Sequence, residues 1–377
     1  MNSQERKEAR YQRRKAKDEK RRLGLLDKYN FECVSAPDNL YSAMKESRRG
    51  VYWKASVQRY NMNFLRNILK THKDLKAGND IRKGFISFDI VERGKARHIR
   101  SVHFSERVVQ KSVCSNALIP HLIRSLITDN GASITDKGIH FAINRLKIHL
   151  RRHYKEHGTE GYIILLDFKN YFGNILHEPL RQIYGDAFGE DERLMHLAMQ
   201  FIYAFGDKGL GLGSEASQIS AVAYSSGNDH HIKEVLRCKN YGRYMDDSYF
   251  ICETKEQAQQ ILAVMLEKYA EMGIQTSPKK TNIVKLSRGF TFLKTQFQLT
   301  ETGRIVARPS RESAVRQRRK LKKFKKFYDA GEMTLAEIRN SYMSWRGYIS
   351  HINSRRTVHN MDCLYKRLFG ISPKAKI

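Results

Sequence analysis

Two aspartates stand side by side in Tyr244-Met245-Asp246-Asp247, with Lys239-Asn240-Tyr241-Gly242-Arg243 before them and Ser248-Tyr249-Phe250-Ile251 after. Burying two charges within a strand pair is costly unless something neutralises them. A pair of divalent cations would do so, and paired metals are how enzymes move phosphoryl groups by in-line displacement. A third carboxylate, Asp167, ends the apolar run Ile163-Ile164-Leu165-Leu166. Each Asp taken singly also suits a strand end or the opening of a turn. On a chain this basic, the two segments together point to catalysis.

If the Asp167 strand lies beside the Asp246 hairpin, the carboxylates converge at one edge of a sheet. Such a cluster suits two Mg²⁺ ions, with Mn²⁺ as a substitute, because these cations favour oxygen ligands. One ion would lower the pKa of a primer 3′-hydroxyl and the other would stabilise departing pyrophosphate. The expected metal site is Asp167, Phe168, Asp246 and Asp247, with Asp247 a supporting acid.

Other residues suit a nucleotide. Lys95, Arg97 and Arg100 lie on or beside a basic hairpin, where cations can clamp triphosphate oxygens or stay simply solvated. Phe172 follows Asp167 on a turn; its ring could exclude a ribose 2′-hydroxyl or serve as core. Gly211 and Gly213 allow close backbone approach ahead of Gln218, whose amide could hold a nucleotide or template base. The Gly-Lys-Ser/Thr ending of a Walker loop is missing. Lys279 and Lys280 follow Ser277-Pro278, and a lysine there is an exposed loop residue or a proton donor to pyrophosphate.

These residues need elements to hold them. The pattern from about 38 to 75 is helical, with Tyr41, Met44, Tyr52, Leu65, Ile68 and Leu69 apolar. Residues 85–91 and 96–102 are short strands joined by the turn Glu92-Arg93-Gly94-Lys95. Helix returns over 105–127, a loop covers 129–133, and an amphipathic helix spans 138–157. A buried strand and turn occupy 162–175. Helices follow at 190–205 and from 215 to about 236. A strand–turn–strand then carries Asp246 and Asp247. A helix at 255–272 and strands near 282–286 and 290–298 come next. In the last strand Phe290, Phe292, Leu293 and Phe297 read as core. After Pro309 a basic helix spans 311–326, with helices at 334–350 and 357–368.

The chain has 377 residues, with 69 Lys plus Arg against 39 Asp plus Glu, a formal charge of +30. That excess calls for a polyanionic partner, most simply nucleic acid, with an anionic membrane surface the weaker alternative. No apolar run is long enough to span a bilayer, and the charged N-terminus has no signal core. The first 22 residues are a solvated helix or a tail that orders on a polyanion. Five scattered cysteines without zinc spacing read as reduced thiols, and His230-His231 as structural.

In this order the residues resemble reverse transcriptases, over about 40 to 370. Asp167-Phe168-Lys169-Asn170-Tyr171-Phe172 resembles the first catalytic motif, Ser217-Gln218 with its glycines the second, and Tyr244-Met245-Asp246-Asp247 the third. Ser277-Pro278-Lys279-Lys280 and Gly289-Phe290-Thr291-Phe292-Leu293 look like the fourth motif and the primer grip. The resemblance implies a mixed α/β (α+β) right-hand polymerase. Its parts would be a basic extension at 1–37, fingers at 38–160, a palm at 161–308 and an all-α thumb at 309–377. It implies RNA-directed DNA synthesis from dNTPs on an RNA template with a DNA or RNA primer. Expected nucleic-acid contacts are Arg100, Arg316, Arg319, Lys320 and Lys323.

The run Asn228-Asp229-His230-His231-Ile232-Lys233-Glu234 and Arg243 are similar to diversity-generating retroelement enzymes. Defence-associated, unknown-group enzymes are also similar, and these include protein-primed or non-templated synthesis. The helical tail resembles a group II intron thumb, although intron enzymes usually carry Ala in place of Met245. The second motif departs from the family, lacking its usual proline and carrying Glu215. A bacterial or phage-infected cytoplasm is the expected setting, with a non-coding RNA or accessory protein as a further partner and no membrane. An RNA-binding protein that keeps the fold without catalysis is the rival class.

Overall fold

The computed structural model describes residues 3–92, 95–278 and 280–375. Helices and sheets are mixed, as the sequence pattern predicts. They form two compact units, each made of discontinuous segments. One comprises residues 1–128, 168–231 and 266–275, and the other 129–167, 232–265 and 276–377.

The first unit is mainly helical. Its basic arm is a helix, Ser3–Lys28, exposed over most of its length. The predicted helical stretch from 38 to 75 is three helices, Pro37–Ser47, Ala55–Met62 and Phe64–Lys76. Gly50 at φ +73° belongs to the first break and Asn63, outside helical geometry, makes the second. Strands β1 (Phe85–Glu92) and β2 (Lys95–Val102) pair antiparallel with Phe85 opposite Val102. Arg93 and Gly94 of the predicted turn lie outside the described residues. The stretch expected to be helical from 215 to 236 is helical to Val235 in three pieces, Glu215–Tyr224, Ser226–His230 and a π-helical turn His231–Val235, with a break at Ser225. Tyr171 Oη donates to the Ala221 carbonyl at 2.6 Å, taking an acceptor the next turn would use. A helix at His177–Phe188, absent from the sequence reading, buries Leu180, Tyr184 and Phe188 at spacings of four.

The second unit holds two sheets. Strands β3 (Tyr162–Asp167), β4 (Tyr241–Tyr244), β5 (Asp247–Cys252) and β6 (Asn282–Lys285) form an antiparallel sheet in the order β4-β5-β3-β6. The central β3 reads as an unbroken apolar run because most of it is buried, unlike a half-exposed alternating strand. Helix Ile139–His157 contributes Ile143, Leu146 and Leu150 to one core cluster with Ile163, Tyr249 and Ile251. Phe290, Phe292 and Phe297 join that cluster from a three-stranded sheet of β7 (Phe290–Phe292), β8 (Thr295–Leu299) and β9 (Ile305–Pro309). The single strand expected over 290–298 is therefore a hairpin. Leu293 and Lys294 turn it at φ +45° and +61°, with no Gly or Asn to signal the turn.

Three helices complete this unit: Arg311–Asp329, Leu335–Ser350 and Arg355–Phe369. They close around Leu321, Ile338, Tyr342, Met361, Tyr365 and Phe369. Of the basic first helix only Gln317 and Leu321 are buried, so its cationic face stays in water. Among the described residues no helix is long and apolar enough to cross a membrane.

Candidate active site

Asp167 ends β3, Asp247 begins β5, and the two are direct cross-strand partners. Partners opposite one another in an antiparallel pair project from the same face. That face continues into Leu165, Ile163, Tyr249 and Ile251, so the acids sit at the end of the strand pair beyond the apolar cluster. Asp246 occupies the two-residue turn between β4 and β5 with Met245. Met245 holds φ +56°, a conformation that costs a non-glycine residue on the order of 1 kcal/mol or more.

The carboxylates act on each other. Burial, then Asp246, then Asp167 push the Asp247 carboxyl up to about 7. Like charges opposed across a ladder are destabilising, and a cation offsets them. One such cation is part of the chain: Lys280 Nζ donates to both Asp167 oxygens at 2.9 and 2.7 Å. That bond, first among its causes, raises the Lys280 ammonium above its ordinary value. Among the described residues no group of three His, Cys, Asp or Glu is arranged to hold a metal ion. By chemistry the donors still fit a hard divalent cation, being all-oxygen, with Asp246 and Asp167 adding to burial in raising the Asp247 carboxyl.

A buried ionic network supports the turn. Residues 129–131, expected to be a plain loop, run along β4. Asn130 bridges Arg243, Arg243 N donates to Asp129 O at 3.2 Å, and Gly131 N donates to Arg243 O at 3.0 Å. Arg243 is 1% exposed and its guanidinium donates to the Met245 carbonyl at 3.2 Å, bracing the strained turn. The Asp129 carboxylate accepts from Lys233 Nζ at 2.5 Å and from Arg145. Burial alone would raise it, but these bonds hold it below the ordinary carboxylate range.

Beside Asp129, His149 is fully buried, with Nδ1 3.0 Å from the Tyr249 hydroxyl. Burial lowers it to about 4, outweighing the pull of Asp129. Between pH 6.5 and 4 the unfolded chain takes a proton there that the folded chain refuses, so stability falls as pH drops through that window. The full effect is about 3 kcal/mol. Asp129, with a lowered carboxyl, loses its contribution only below about 3.8. Melting of His149→Gln across this range is expected to flatten the upper part of the profile and leave the lower part. An unaltered profile would place the proton uptake elsewhere.

The remaining sequence-predicted residues divide. Phe168 has only its main-chain carbonyl to offer an ion, and its ring is buried edge-on to Tyr269 at 4.7 Å. Phe172 is half-buried, and the glycine-rich loop folds back on its turn. Leu210 N donates to Phe172 O at 2.7 Å and Gly209 N to Ile175 O at 2.8 Å. A Cβ at Gly211 would run into the Phe205 ring, so any larger residue there would displace it. Arg100 lies over the rings of Phe85 and Phe205 at 5.5 and 5.4 Å, joining the hairpin to this loop. Gln218 is exposed on the helix that follows. Glu215, the acid out of place in the second motif, pairs with Lys111 at 2.9 Å. Arg316, Arg319, Lys320 and Lys323 are exposed along the first C-terminal helix. The side chains of Lys95 and Arg97, and all of Lys279, lie outside the described residues.

A sequence model of the family described as reverse transcriptase (RNA-dependent DNA polymerase) matches residues 81–297, more than half of the chain. No curated protein matches. Among solved structures, apo telomerase from Candida tropicalis, truncated from its C-terminal domain, is similar at 13% identity and TM-score 0.45. It covers 59% of this chain and 54% of its own. Telomerase from Candida albicans with a fragment of telomeric RNA is similar at 10% identity and TM-score 0.48, covering 81% and 65%. The chain thus spans between half and two thirds of those telomerase chains.

Proposed function

Since the chain belongs to the reverse transcriptase (RNA-dependent DNA polymerase) family, with that family's mixed α/β fold, we propose that it copies an RNA template into cDNA from dNTPs. The observation that carries this is the cross-strand pairing of Asp167 with Asp247 beside the Asp246 turn. In this reading residues 38–160 act as fingers, 161–308 as palm and 309–377 as thumb, after a basic extension at 1–37.

Asp167, Asp246 and the Phe168 carbonyl would hold two Mg²⁺ ions, or Mn²⁺ in their place, with Asp247 in support. Ions held there supply charge neutralisation for a 3′-oxyanion and for departing pyrophosphate. The chain's own residues do the rest. Lys280, kept protonated by its carboxylate partner, can donate a proton to pyrophosphate once it leaves Asp167. Lys279, its neighbour in sequence, would share that role. Lys95 and Arg97 hold triphosphate oxygens, and Gln218 steadies the nucleotide or template base. Arg100 and the exposed Arg316, Arg319, Lys320 and Lys323 follow the nucleic-acid backbone.

Phe172 gates the sugar, a role its position beside the glycine loop supports. Phe172→Val is expected to raise rNTP incorporation relative to dNTP by roughly 10-fold or more, about 1.4 kcal/mol of discrimination. Unchanged sugar selectivity would remove the gate.

The biological setting we infer is a diversity-generating retroelement of a bacterium or phage, on the motif run from Asn228 to Glu234. A cognate non-coding RNA or an accessory protein would join it there. The test is extension by the purified protein with and without RNA template, followed by sequencing of products. RNA-dependent cDNA with errors at template adenines is expected. RNA-independent or repetitive product would favour the defence class, and RNA binding without incorporation would leave a non-catalytic scaffold.

A further inference from the structure

A cavity of the second unit, about 870 Å³, contains none of the acidic-site residues. Its walls carry Arg304, Arg308, Arg346, Arg355, Arg356 and His359 against a single carboxylate, Asp362. That carboxylate is already engaged, accepting from Arg346 Nε at 3.2 and 3.3 Å and from Tyr342 Oη at 2.5 Å. Among the described residues none of Arg304, Arg308, Arg355 and Arg356 pairs with a carboxylate. All four are exposed, and they line one cavity with no carboxylate of their own to offset their charge.

The backbone places them there on purpose of geometry. Arg304, just before β9, and Arg308 within it point away from the core-facing Ile305 and Ala307. Arg355 and Arg356 open the last helix, where its dipole disfavours cations and no acidic residue offsets them. No side chain caps that helix start, since Ser354 Oγ turns to the Ile349 carbonyl at 2.5 Å. Both features favour an anion in the cavity: guanidinium groups bind phosphate bidentately, and free N–H groups at a helix start point towards it.

We propose that this cavity is a second RNA-binding site, separate from the polymerase centre, which grips consecutive phosphates of an RNA strand without reading bases. Among the described residues none that lines it is Phe, Tyr or Trp, and the lining is mainly cationic, so recognition rests on charge. The chain's net charge of +30 agrees with a long polyanion.

The test uses the full chain with Arg304→Gln, Arg308→Gln, Arg355→Gln and Arg356→Gln, together and as the 304/308 and 355/356 pairs. Fluorescence anisotropy follows a long unprimed RNA across a KCl series. Each lost phosphate contact should lower the log–log salt slope by roughly 0.7, so the quadruple variant falls by about 3 and each pair by about half that. Affinity at low salt should drop about tenfold or more, with extension of a short primed template unchanged. Slopes and affinities equal to wild type in all three variants would overturn the site. So would stabilisation of wild type by inorganic tripolyphosphate alongside unchanged RNA binding, which would assign the cavity to a small polyphosphate. The readout needs no turnover, so an inactive polymerase and a failed RNA site are separate results.

Discussion

Asp246→Asn is expected to abolish primer extension while leaving the fold intact. The loss should be at least about 10³-fold, near 4 kcal/mol of barrier, because a carboxamide cannot replace the charge proposed to hold a divalent ion at the turn. The opposite sign is expected for stability at Asp247. Its carboxyl is raised to about 7 by burial, by Asp246 and by Asp167, so its ionised form is held at a cost. Asp247→Asn in chelated buffer should therefore gain about 1 kcal/mol, a few degrees of melting temperature, while activity falls. Circular dichroism, melting and extension on one preparation check both. Asp246→Asn extending as fast as wild type would move catalysis away from this turn.

Asp129→Ala carries the largest expected stability loss. It would leave Lys233 and Arg145 without their shared acceptor, and removing one member of a buried ion set costs about 3–5 kcal/mol. Both cations keep roughly a fifth of their side-chain surface exposed, so water recovers part of that and about 2–3 kcal/mol is the expected net. Denaturant melting measures it, and Asp129→Leu with Lys233→Met should regain part of the loss by removing both charges. If Asp129→Ala melts like wild type, the cations are already hydrated and the network does not brace the turn.

The acidic centre was legible because local chemistry announces it. Apolar runs flank Asp167 and the Asp246-Asp247 pair, and strands of that kind must lie together. Asp129 was not legible. Its partners Arg145, Lys233 and Arg243 lie 16, 104 and 114 positions away, and a polar loop sequence says nothing of such distances. Lys280 read equally well as a solvated loop residue, since only the fold aims it at Asp167. Secondary structure was misread where no turn residue marked a turn. Leu293-Lys294 reverses the chain without glycine, and Tyr171, 50 positions before Ala221, takes that carbonyl by a tertiary hydrogen bond where the helical stretch after 215 breaks at Ser225. The helix at His177–Phe188 does carry a periodic signal, in Leu180, Tyr184 and Phe188.

Lys280 has one more consequence. By lending its own positive end to Asp167, the polypeptide carries a resident counter-ion for the most repulsive spot in its sheet. The newly made chain can then assemble that corner before any mineral partner arrives, and scarcity of a divalent cation would idle the molecule without unravelling it.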